Sequence, residues 1–115
     1  MAHMITYDEF EKVDIRIGKV VEAKDFPEAR IPAIKLTIDF GPEIGIKKSS
    51  AQLVDAYAPA DLVGKHVMCV VNFPPKQVGP FISEVLTLGF KNTAGTGFVL
   101  AVPDKDTIIL GDKMK

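Results

Sequence analysis

Seven consecutive residues, Ile34-Lys35-Leu36-Thr37-Ile38-Asp39-Phe40, alternate apolar and polar without a break. A period of two sends Ile34, Leu36, Ile38 and Phe40 to one face and Lys35, Thr37 and Asp39 to the other, which predicts a half-buried strand. Five further runs read as strands. Residues 14–21 are rich in β-branched side chains, and the step of three from Ile17 to Val20 predicts a bulge at Gly18. Gly41-Pro42 ends the alternating strand, and residues 44–47 form a short partner. Residues 65–71 are nearly continuous in apolar side chains, as in a strand covered on both faces. Residues 84–90 and 98–102 complete the set.

Helical signals are few. Thr6-Tyr7-Asp8-Glu9 has the spacing of a capping box and predicts a short helix over residues 7–12. Residues 49–57 are expected to loop into a helical turn or two, stopped by Ala58-Pro59-Ala60. No long amphipathic helix separates the strands, which argues against βαβ units. The chain is therefore expected to be mainly β, a small closed structure with short helices.

At 115 residues, 47% hydrophobic and 25% charged, the chain has one domain's worth of core and needs no staples to hold it. Cys69 is the only cysteine and sits in an apolar run, so no intrachain disulfide forms and a reducing compartment is expected. No apolar run approaches the ~20 residues of a membrane span, and no leader opens the chain. A cytoplasmic protein without membrane insertion is expected. Met1-Ala2-His3 ahead of Met4 reads as an expression remnant, leaving residues 4–115 as the single domain.

The stretch from Asn72 to Glu84 carries the binding signal. Pro74-Pro75 removes two backbone donors and fixes φ, so a stiff loop joins two strands. Phe73, Pro74, Pro75, Val78 and Phe81 are read as an apolar groove for peptide, with a dimer interface as the other use of the same residues. Asn72 either caps the turn or meets a ligand. Lys76 is an exposed cation available to an anion or a backbone carbonyl. Ser83 and Glu84 either hydrogen-bond an extended peptide or ribose, or order the start of the next strand. Lys47, Lys48, Ser49, Ser50 and Gln52 make a second polar cluster. Asp14 and Arg16 share a strand face, where structural ion pairing with neighbours is expected rather than a functional role.

Chemistry is not indicated. One cysteine and His66 supply no zinc ligand set, and no nucleophile elbow, Walker sequence or dinucleotide fingerprint occurs. A non-enzymatic binding protein is expected, with no catalytic residues, metal or cofactor. The net charge of -1 disfavours coating of nucleic acid by phosphate neutralisation alone, although Lys35, Lys65, Lys76 and Lys91 permit a local basic patch.

Three blocks in order carry a family resemblance. Phe10-Glu11-Lys12-Val13-Asp14-Ile15-Arg16-Ile17-Gly18-Lys19-Val20 resembles the opening of the tRNA-binding domain that is appended to aminoacyl-tRNA synthetases and also stands free. Pro27-Glu28-Ala29-Arg30 with Lys35-Leu36-Thr37-Ile38-Asp39-Phe40-Gly41 is similar to its second block. Leu62-Val63-Gly64-Lys65 and residues 72–88 are similar to its third. Ser83-Glu84-Val85-Leu86 stands where tRNA-dedicated members carry Ser-x-Gly-Met, and Ser49-Ser50-Ala51-Gln52 departs from their Val-Ser-Gly. Both departures resemble the CsaA-type protein-secretion chaperones. The resemblance implies an OB-fold, a five-stranded Greek-key barrel with short flanking helices and terminal extensions. It also implies a homodimer built through segments outside the barrel, and partners among unfolded preproteins and the export machinery, including the preprotein translocase ATPase. A homodimeric, structure-specific tRNA-binding protein is the alternative.

Overall fold

The computed structural model describes residues 3–115, so Met1 and Ala2 of the expected remnant lie outside the described residues. The elements in chain order are α1 (Tyr7–Glu11), β1 (Ile15–Phe26), β2 (Ala33–Asp39), α2 (Gly41–Ile44), β3 (Ile46–Ala51), α3 (Pro59–Leu62), β4 (His66–Val70), β5 (Lys76–Val78), β6 (Phe81–Ser83), β7 (Leu86–Thr87), β8 (Gly89–Lys91) and β9 (Phe98–Leu100). Five strands form one antiparallel sheet in the order β3-β2-β1-β4-β7, and β5-β6 and β8-β9 are separate two-stranded ribbons. The sheet curls around a single core into an OB-like barrel, the expected mainly β class.

The alternating strand supplies most of that core. Ile34, Leu36, Ile38 and Phe40 are each at most 1% exposed, and Val20, Leu53, Leu62, Val67 and Cys69 close around them. α1 begins as its capping box requires. The Thr6 hydroxyl accepts from the Glu9 N–H at 3.2 Å, and the Glu9 carboxylate accepts from the Thr6 N–H at 3.0 Å. Arg16 and Asp14 form an ion pair with each other, Nε to Oδ1 at 2.6 Å, and Arg16 also donates to the Gly111 carbonyl at 2.9 Å. The carboxylate raises the guanidinium pKa above its usual value.

Several expectations are corrected. The bulge lies between Val20 and Glu22, whereas Gly18 pairs regularly with Val67. Gly18 is required for space: an added Cβ would lie 2.5 Å from Ile38 Cγ2 and 2.8 Å from Phe40 Cε1. β3 runs to Ala51 rather than stopping at residue 47, because Ser49 is polar yet inward-facing, fully buried with its hydroxyl donating to the Val85 carbonyl at 3.1 Å. Pro59 starts α3 instead of stopping a helix, consistent with its missing N–H costing nothing in the first turn. The run over residues 84–90 breaks into β7 and β8, and the loop after Pro75 folds into the β5-β6 ribbon. The tail returns along β1, with Gly111 N–H donating to the Ile17 carbonyl at 2.8 Å and Met114 N–H to the Ile15 carbonyl at 2.7 Å.

Candidate binding cleft

A cleft of about 830 Å³ opens between the β1–β2 loop, the outer edge of β3, the β5-β6 ribbon and β7. It exists because the barrel does not close by a continuous ladder. The register of β2 with β3 pairs Lys35 with Ser50 and Thr37 with Lys48. Phe40 N–H bonds to the Gly45 carbonyl at the turn, which makes alternate pairs hydrogen-bonded and turns the backbone groups of Lys48 and Ser50 away from β2. Side chains meet them there. Glu84 takes the Lys48 N–H on its carboxylate at 3.0 Å and gives its own N–H to the Lys48 carbonyl at 2.7 Å. The Ser83 hydroxyl accepts from the Ser50 N–H at 3.0 Å and is within 3.3 Å of the Val85 carbonyl as donor. Behind this clasp the Thr87 hydroxyl donates to Ser49 Oγ at 2.8 Å. Beyond Ser50 the seam splays and the cleft begins.

The walls are apolar with charged corners. Ile31, Phe73, Leu86 and Phe98 line the cleft and are between 43% and 57% exposed. Arg30, Lys76, Glu28 and Glu84 stand among them. One end is stopped where the ribbon tip meets the β1–β2 loop, since a Cβ on Gly79 would sit 3.5 Å from the Glu28 carbonyl. Gly79 has φ 57°, the left-handed value that the first residue of a two-residue hairpin turn before Pro80 asks for.

Of the sequence-predicted residues, Ser50, Gln52, Phe73, Pro74, Lys76, Val78, Ser83 and Glu84 come together at this cleft. Others stand elsewhere. Phe81 packs edge-on against Phe26 with ring centroids 5.4 Å apart, under the Lys35 ammonium, so it anchors the ribbon to the barrel. Asn72 accepts from the Asp14 N–H at 3.0 Å and donates to the Lys12 carbonyl at 2.7 Å, fastening the segment before β1 to the end of β4. Pro75, Lys47 and Lys48 do not line the cleft. Sequence reasoning missed Ile31, Leu86 and Phe98. An apolar residue set between Arg30 and Pro32 is the available sequence signal for Ile31, whereas Leu86 and Phe98 alternate like core residues.

A second apolar surface lies across the barrel. Ile15, Ile17, Met68, Phe90, Val102 and Met114 line a depression of about 690 Å³. Phe90 is 71% exposed, and Ile109 in the returning tail is as open. The β8-β9 ribbon separates the two features. Period-two alternation puts Phe98 and Leu100 on one face, and Phe90 with its pair Val99 on the other. Among the described residues no group of three or more His, Cys, Asp or Glu is placed to hold a metal ion.

Residues 15–112 match the family model described as a putative tRNA binding domain. The chaperone CsaA structure from Bacillus anthracis superposes with TM-score 0.88 at 48% identity, covering 98% of this chain and 100% of that one. The CsaA chaperone protein from Picrophilus torridus superposes at 0.87 and 49%, covering 97% and 100%. The methionine–tRNA ligase of Thermococcus kodakarensis is 32% identical over 112 residues, 96% of this chain but 14% of that enzyme. The chain thus spans about a seventh of such ligases while matching the CsaA structures end to end, and it belongs to the tRNA-binding-domain family.

Proposed function

We propose that the chain is a non-enzymatic binding protein, a CsaA-like chaperone that holds unfolded segments of secretory preproteins in the cleft beside β3. The observation that carries this reading is the cleft itself, with the half-exposed side chains of Ile31, Phe73, Leu86 and Phe98 around a barrel seam that is not zipped. Apolar walls of this kind favour apolar segments of any sequence at ~25 cal/mol per Å² buried. The cost of ordering a flexible segment offsets much of that gain, so affinity is micromolar and release needs no nucleotide. The chain acts in the cytoplasm as a homodimer joined through the Phe90 face, and hands its cargo to the preprotein translocase ATPase.

Arg30 and Lys76 on the same cleft support a second reading, a homodimeric tRNA binder that recognises RNA shape and backbone. Titrating an unstructured preprotein segment and a tRNA side by side at two salt concentrations separates the two. The chaperone reading expects peptide affinity nearly independent of salt and a loss of at least about tenfold in Ile31→Ser/Phe73→Ser. The RNA reading expects log K to fall by ~0.7–0.9 for each phosphate contact per decade of salt. Unchanged peptide affinity in the double variant overturns the first reading, and a flat salt response for tRNA overturns the second.

A further inference from the structure

The clasp that seals β3 stops partway along the strand. At Lys48 both backbone groups are taken by Glu84, and at Ser50 the N–H is taken by Ser83. At Gln52 the carbonyl is taken by the Phe98 N–H at 2.9 Å. Between these contacts the Ser50 carbonyl and the Gln52 N–H have no protein hydrogen-bond partner among the described residues, and both residues line the cleft. An acceptor on one residue and a donor two residues on, along one edge, is the pattern that a neighbouring extended chain completes with two hydrogen bonds in either direction.

We propose that the cleft takes its ligand as an added β-strand, an extended polypeptide pairing its main chain with Ser50 C=O and Gln52 N–H. This rests on the peptide-holding reading above and specifies how that ligand is recognised. The occupant is polypeptide because an extended peptide backbone carries a donor and an acceptor at the spacing this edge offers, and the walls beside the edge are apolar. Its side chains then alternate by period two between solvent and the apolar walls at Leu86 and Phe98. Main-chain pairing is indifferent to sequence, which suits a ligand defined by being unfolded. Ser83 and Phe98 bound the free edge on either side, so pairing is limited to one short register and stays weak and reversible.

The test uses an acetylated, amidated octapeptide of alternating leucine and serine, flanked by one lysine at each end and carrying fluorescein. Two derivatives have the backbone nitrogens methylated either at every leucine or at every serine. A paired strand presents alternate N–H groups to the protein, so only one derivative should lose affinity, by at least about tenfold in anisotropy titrations. The other should keep it. Hydrogen exchange should also slow at the Gln52 amide on binding of the parent peptide. Equal affinity, or equal loss, for the two derivatives overturns strand pairing while leaving capture by the apolar walls intact. Failure of the parent peptide to bind, with tRNA binding retained, overturns the pairing and the chaperone reading together.

Discussion

Gly18 and Cys69 sit on neighbouring strands and illustrate two ways a residue is dictated by what surrounds it. Gly18 leaves room for the Phe40 ring, and Gly18→Ala forces its methyl within 2.5 Å of Ile38 and 2.8 Å of Phe40. Overpacking on that scale costs ~1–3 kcal/mol, to be read as a lower denaturation midpoint with unchanged slope. Cys69 is 0% exposed, and burial pushes its thiol up to about 12, with only a 3.6 Å contact to the Thr87 hydroxyl opposing it. The folded state therefore holds the proton where the unfolded chain, at its ordinary value of 9.0, releases it. Its contribution to stability is full below pH 9.0 and is lost as pH rises toward about 12, by at most ~1.4 kcal/mol per pH unit. Cys69→Val should flatten that alkaline decline in urea melts across pH 8 to 10.5. An equal decline in both proteins would assign it to other groups.

At the scale of elements, the β3–β7 seam is where sequence and structure part company. Ile34 to Phe40 and the Thr6 capping box were legible because each is local: alternation and cap spacing need no knowledge of the rest of the chain. The length of β3 was not, because Ser49 and Ser50 read as loop residues until Val85 and Ser83 arrive from more than thirty positions away. The cleft was legible in part for the same reason. Phe73, Pro74, Lys76 and Val78 announced a binding loop through two prolines, while Phe81 was assigned to the groove because nothing in the sequence pairs it with Phe26. Ser83 carried two sequence readings, and its geometry gives it a clasping role that can be measured. Ser83→Ala strips the Ser50 N–H of its acceptor and should cost about 1 kcal/mol of stability. It also lengthens the free edge of β3, so peptide affinity should hold or rise. A Ser83→Ala protein of unchanged stability that binds peptide at least tenfold more weakly would make Ser83 a direct ligand contact instead.

At the scale of the whole molecule, the homodimer proposed above has two apolar surfaces to choose between. The Phe90 face spans Ile15, Ile17, Met68, Val102 and Met114, and contiguous exposed patches of this kind mark interaction sites. Arg16, Asp112 and Lys113 border that face, and Arg16 is already paired with Asp14, whereas the cleft carries Arg30, Lys76, Glu28 and Glu84 among its apolar residues, a more polar mixture less suited to a permanent self-contact. Because Phe90 and Phe98 lie on opposite faces of one ribbon, association through the first leaves the second open. Phe90→Asp should therefore weaken the dimer by at least about 30-fold, the value of a single ~2 kcal/mol anchor, in sedimentation equilibrium. At 71% exposure Phe90 supports little of the core, so the monomer should stay folded and each cleft should keep its peptide affinity. Phe73→Asp should leave the dimer whole and abolish peptide binding. The reverse pattern, dissociation by Phe73→Asp with Phe90→Asp silent, would place the cleft beneath a symmetry mate and leave no surface there to receive an unfolded chain.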